Sequence, residues 1–142
     1  MGPTGSTVAQ RARLSFEMSI LYHSRHRNRK SEDELDRRYV PFERLLADSD
    51  FVSIYLPLTV ETPYLFNRPA FALMKKTALL VNVDHGPIVD ESVLVSALLD
   101  REIAGAVLDV YEKELEPHPE LMRMQERIIL SFPYRKCHCQ HS

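Results

Sequence analysis

Four short apolar runs set the tightest limit on how this chain can fold. They are "MSILYH" (18–23), "FVSIYL" (51–56), "ALLVNV" (78–83) and "IAGAVLDV" (103–110). A strand with one wet face alternates apolar and polar residues, and these runs scarcely alternate, so both faces are expected to be covered. A weaker fifth run, "RIILSF" (127–132), follows. Helical patterns occupy the intervals: "GSTVAQRARLSF" (5–16), "PFERLLADS" (41–49), "RPAFALMKK" (68–76) and "DESVLVSALLDRE" (90–102). The last of these puts Val93, Leu94, Ala97 and Leu98 on one face. Strands that alternate with helices imply an α/β fold, a doubly wound parallel sheet with helices on both sides. The charged stretch "RHRNRKSEDELDRR" (25–38) reads as a solvated connector.

At 142 residues the chain is the size of one domain. Eighteen basic residues against 20 acidic ones argue against a general nucleic-acid or anionic-membrane binder. No apolar run approaches the roughly 20 residues needed to cross a bilayer. The start, "MGPTGSTVAQ", lacks the basic and apolar segments of a secretory signal. Cys137 and Cys139 stand one residue apart, a poor spacing for a structural disulfide, so a reducing, cytoplasmic setting is expected. Cys137, His138, Cys139 and His141 could ligate a metal in principle. Structural zinc sites space their ligands more widely, so no metal is expected and 134–142 reads as a frayed tail.

In doubly wound folds ligands bind beyond the carboxyl ends of the strands, so the residues that follow each strand are the candidates. Ser24-Arg25-His26-Arg27 follow the first, Pro57-Leu58-Thr59 the second, and Asn82-Val83-Asp84-His85-Gly86 the third. After the fourth come Asp109-Val110-Tyr111-Glu112-Lys113-Glu114. At the amino end, Gly2 and Gly5 are spaced as the last two glycines of G-x-G-x-x-G and lead into a helix. Gly2 would let backbone approach a pyrophosphate, Gly5 would allow close helix–strand packing, and the helix end would supply free N–H groups. An adenosine 2′-hydroxyl is usually held by an acid about 20 residues further on. Here that place reads Ser24-Arg25, a hydroxyl and a guanidinium, which suit a 2′-phosphate. NADP is therefore expected in preference to NAD, unless these arginines belong only to the solvated loop.

Several blocks together resemble the D-isomer-specific 2-hydroxyacid dehydrogenases, in their glyoxylate/hydroxypyruvate reductase branch. The blocks are "GPTGSTVA", "YHSR", "LLADSDFVSIYLPLTVETPYLF", "ALMKKTALLVNVDHGPIVDESVLVSAL", "IAGAVLDVYEKE" and "PHPELMRM". The resemblance spans 1–133 and implies the Rossmann-type NAD(P)-binding domain, without its first strand and without the separate substrate domain. It implies hydride transfer between a nicotinamide and a small 2-keto or 2-hydroxy acid such as glyoxylate or hydroxypyruvate, and a homodimer.

The resemblance assigns Gly2, Pro3, Thr4, Gly5, Ser24, Arg25, Pro57, Thr62, Asn82, Val83, Asp84 and Asp109 to the cofactor. Its glutamate, which tunes a proton-donating histidine, falls on Glu114. Its substrate-binding arginine falls on His85, and its later "PH" pair falls on Pro133-Tyr134 or Phe132-Pro133, neither ending in histidine. Histidine is shorter than arginine and lacks the planar fork that grips a carboxylate. His118, in "PHPE", reads as a turn before a helix rather than as a replacement acid. Three readings follow: an oxidoreductase impaired as an isolated chain, a dinucleotide-sensing or partner-binding module without turnover, or a truncated product without stable function.

Overall fold

A computed structural model of the protein describes residues 3–113 and 116–131. Along the chain run α1 (Pro3–Phe16), β1 (Ile20–Tyr22), α2 (Arg29–Leu35), β2 (Arg37–Tyr39), α3 (Phe42–Asp48) and β3 (Phe51–Ile54). There follow α4 (Arg68–Leu73), β4 (Leu79–Asn82), a 3-10 turn (Gly86–Ile88), α5 (Glu91–Leu99), β5 (Gly105–Leu108), α6 (Pro119–Arg123) and β6 (Ile128–Leu130). Every strand pair is parallel, as unalternating runs separated by helices require. The five expected strands are present, each shorter than its apolar run, because the flanking residues turn into loops.

The larger sheet has the order β3-β4-β5-β6, with Leu80 of β4 between Val52 and Ala106. Around it lies a continuous apolar core that includes Phe71, Leu80, Leu94, Leu98, Leu108 and Leu121, all shielded from solvent. In α5 the buried face holds Leu94, Val95, Ala97 and Leu98, with Val93 packed against its margin. Asp90 caps this helix by accepting a hydrogen bond from the Val93 N–H at 3.2 Å.

One expectation needs correction. Residues 25–38 are not a plain connector, for they contain α2 and begin β2. Asn28 caps α2 through the Ser31 N–H at 3.1 Å, and Arg27 places a two-pronged hydrogen bond on Glu32, at 2.8 and 3.0 Å. The Tyr22 hydroxyl donates to the same carboxylate at 2.7 Å. The Arg27 bonds first, and Tyr22 next, hold the Glu32 carboxyl down at about 2. Arg37 is only 5 % exposed, its guanidinium 4.7 Å from the centre of the Tyr22 ring. It also donates to Ser6 in α1 and to Ser31 in α2. A run of charge satisfied within itself can thus be structured.

The expected parallel α/β architecture is present, its strands arranged as two ladders, β1-β2 and β3-β4-β5-β6. Among the described residues no strand bridges β1 and β3. Leu14 and Phe16 of α1 and Phe51 of β3 remain 72 %, 75 % and 55 % exposed.

Candidate functional site

The loops beyond the carboxyl ends of the strands form one connected rim. At the end of β4, the buried Asn82 side chain shapes the following turn from within. Its Oδ1 accepts from the Asp84 N–H at 3.2 Å, and its Nδ2 donates to the His85 carbonyl at 2.9 Å. The turn thereby presents Val83, 41 % exposed, beside the half-buried Asp84 and His85. His85 Nε2 lies 3.6 Å from Asp84 Oδ1. The Asp109 N–H, just past β5, donates to the Asn82 carbonyl at 3.0 Å, which brings Asp109 to the same turn.

Gly86 shows how tightly these two loops meet. A Cβ at this position would stand 1.8 Å from the Tyr111 carbonyl oxygen, so only glycine allows the approach. The loop after β3 closes the other side. The Tyr64 N–H donates to the Pro87 carbonyl at 2.9 Å, and the Phe66 N–H to that of Ile88 at 3.0 Å. The Tyr64 hydroxyl donates to the Glu112 carboxylate, and this bond pushes the phenol pKa upward.

Thr62 organises the preceding turn, donating to the Pro57 carbonyl at 2.9 Å and accepting from the Thr59 N–H at 2.8 Å. Glu61 in that turn reaches Arg25, beyond β1, with a separation of 3.1 Å. Ser24 donates to the His26 carbonyl at 2.7 Å, which leaves its own backbone turned beside Arg25. Hydrogen bonds and ion pairs thus join Arg25 to Glu61, Tyr64 to Pro87, and Asn82 to His85 and Asp109, with the polypeptide itself linking Glu61 to Tyr64 and His85 to Pro87.

Thr4 and Gly5 lie in the first turn of α1, which carries no acid, and Gly5 is buried. The opposite end of α1 is tied down by Arg13, 2.7 Å from Asp36 just before β2. Pro3 begins the helix. Gly2, Glu114 and the Phe132–Tyr134 segment lie outside the described residues, as does the cysteine–histidine tail. His118 caps α6 by accepting from the Glu120 N–H at 3.2 Å, in keeping with the turn expected there.

One residue of the rim escaped the sequence reading. Glu91, in the first turn of α5, is only 4 % exposed. Its carboxylate accepts the Glu112 N–H at 2.5 Å and the His118 N–H at 2.9 Å. A carboxylate at the register of Leu94, Val95 and Leu98 on an otherwise apolar helix face was the available signal.

Residues 1–132 match the family model described as "D-isomer specific 2-hydroxyacid dehydrogenase, NAD binding domain". The chain belongs to this family. It is 46 % identical over 114 residues to glyoxylate/hydroxypyruvate reductase B of Salmonella newport, an alignment covering 80 % of this chain and 35 % of that protein. The chain therefore spans about a third of the length of the curated relatives it matches. Among solved structures, the holo form of Rhodotorula graminis D-mandelate dehydrogenase superposes with a TM-score of 0.87 at 29 % identity. That match covers 92 % of this chain and 38 % of the other. A glyoxylate reductase from Paecilomyes thermophila superposes at 0.84 with 39 % identity, over 92 % of this chain and 39 % of the other. The fold is the Rossmann-type α/β domain of the family, whose enzymes are oxidoreductases acting on 2-hydroxy and 2-keto acids. Among the described residues no helix is long and apolar enough to cross a membrane.

Proposed function

We propose that this chain is the dinucleotide-binding part of a 2-keto acid reductase, with the cofactor lying along the connected rim. The first turn of α1, with Pro3, Thr4, Gly5 and the preceding Gly2, takes the pyrophosphate. Ser24 and Arg25 take the adenosine ribose, Pro57 and Thr62 flank the middle of the dinucleotide, and Asn82, Val83, Asp84 and Asp109 take the nicotinamide end. The residues suit such a ligand. An acid-free helix start favours an anion, and Val83 offers an exposed apolar surface next to Asp84 for a flat ring with polar edges. Bound there, the reduced nicotinamide supplies the hydride.

What supports this reading is that hydrogen bonds and ion pairs, with the short stretches of chain between them, link the loops bearing Arg25, Glu61, Tyr64, Asn82 and Asp109 into one rim. Arg25 favours NADP(H) over NAD(H) because its guanidinium can pair with a 2′-phosphate after exchanging its exposed partner Glu61. The Arg25→Ala variant should lose roughly tenfold in NADPH affinity and little in NADH affinity. Equal affinities for both cofactors in both proteins would remove the NADP preference.

Catalysis by the chain alone is weak in this reading. His85 stands where the family places arginine, and it offers a single ring nitrogen beside Asp84 rather than a two-pronged cation. Glu114 takes the family's proton-tuning position, with no histidine at Pro133-Tyr134 for it to tune. The substrate class is a 2-keto acid such as glyoxylate or hydroxypyruvate, the setting the cytoplasm, and the assembly a homodimer. The deciding experiment pairs cofactor binding with NAD(P)H oxidation in the presence of either keto acid. Binding without turnover favours the sensing or partner-binding module, for which the His85 position is the specific support. His85→Arg should then improve keto-acid binding to the NADPH-loaded chain.

A further inference from the structure

We propose that Glu91 is a positioning residue for the nicotinamide end of the rim, a role that rests on the dinucleotide reading above. Its carboxylate is buried at the start of α5 and is spent wholly on two backbone N–H groups, those of Glu112 and His118. A buried carboxylate is tolerated only when it is well hydrogen-bonded, and its retention on an apolar helix face implies that something depends on those two bonds. They bracket the segment 113–117, which carries Glu114. They also determine where Tyr111 and Glu112 rest.

The Tyr111 carbonyl packs on Gly86, and the Glu112 carboxylate receives the Tyr64 hydroxyl. Glu91 therefore fixes the loop after β5 against both the His85–Gly86 turn and the loop after β3. Among the described residues, Glu91 and Glu112 make no hydrogen bond or ion pair to Ser24, Arg25 or the start of α1, and the path to Arg25 runs on from Tyr64 through its loop. Release of the two bonds should loosen one end of the cofactor site and leave the other intact.

Glutamine at this position keeps one carbonyl acceptor and turns an NH2 donor toward the second N–H, so Glu91→Gln removes one bond and opposes two donors. The test compares NADPH with 2′,5′-ADP, which lacks the nicotinamide, in wild type and Glu91→Gln. Amide hydrogen exchange at Glu112 and His118 is measured alongside. The expected result is a loss of about tenfold in NADPH affinity, faster exchange at both amides, and unchanged 2′,5′-ADP affinity.

Should Glu91→Gln not fold, His118→Pro and His118→Ala carry the comparison. His118 has φ −53°, within proline's range, so the proline variant replaces the N–H by a ring carbon that displaces the Glu91 carboxylate, while the alanine variant retains the N–H. Both lose the imidazole cap. Weaker NADPH binding in the proline variant than in the alanine variant, at equal 2′,5′-ADP affinity, supports the role. Equal losses for both ligands, or no loss for either, overturn it and leave the dinucleotide reading standing. A wild type that binds neither ligand overturns that reading, and the positioning role falls with it.

Discussion

The part of the molecule built on β3–β6 and the part built on β1–β2 are held together differently. Around the four-stranded sheet, leucines and a phenylalanine from α3, α4, α5 and α6 pack with Ile54 of β3 and Ile128 of β6 in a single apolar core. The β1–β2 ladder contributes nothing to that cluster. Its buried residues, Ala9, Tyr22, Arg37 and Val40, are few, and its order depends on Arg27, Glu32, Asn28 and Tyr22 acting through hydrogen bonds. Apolar burial is insensitive to pH and salt, whereas paired charges are not. The two ends proposed for the dinucleotide thus rest on supports of different character, and they should respond to different perturbations.

The largest expected effect tests the apolar side. Leu80→Ala removes a fully buried side chain from the central sheet and should cost about 2–5 kcal/mol in urea unfolding. Leu14→Ala, at a 72 % exposed position of α1, should change stability by no more than about 0.5 kcal/mol. Similar costs for the two would erase the contrast. Next comes Gly86→Ala. Its Cβ would collide with the Tyr111 carbonyl, so the loops must separate, at a cost of about 1–3 kcal/mol and with weakened NADPH binding. Thermal melts and cofactor titration report the two consequences separately.

Acid should act on the other part of the molecule. The folded Glu32 carboxyl titrates at about 2, below its ordinary value of 4.5, so the folded state holds fewer protons on it than the unfolded state between those values. Its contribution is complete above the ordinary value and disappears as the pH falls towards 2. NMR signals of Tyr22 and Tyr39 should therefore shift in that window before those of β4 and β5, and Glu32→Gln should flatten the difference. Simultaneous loss of all signals would mean that the two parts unfold as one. The smallest effect is expected at the rim surface. Glu61→Gln frees the exposed Arg25 guanidinium and should raise NADPH affinity by roughly twofold to threefold, an increase that salt diminishes.

Much of this was legible in the residue order. Unalternating apolar runs between helical patterns point to parallel strands, and all five runs form parallel strands, but Phe51 and Ser53 of β3 and Ile129 of β6 are exposed where both faces were expected to be covered. The clusters after each strand mark the rim, because a parallel sheet delivers every strand's carboxyl end to the same side. The 25–38 stretch was misread because a hydropathy pattern registers charge but not whether that charge is paired. Arg27 pairs with Glu32 within the stretch itself, whereas Arg37 meets Tyr22 and Ser6, and Glu32 meets Tyr22, only when α2, β1 and α1 come together.

What the sequence determined by itself was the class of fold, the rim on which its candidate residues gather, and the family. These follow from periodicity and order, which are local properties of the chain. Tertiary structure alone decided that Arg25 meets Glu61 and that Glu91 reaches two amides more than 20 residues away. Those outcomes depend on which groups are brought within 3 Å of one another and which are closed off from water, and no spacing along the chain encodes either.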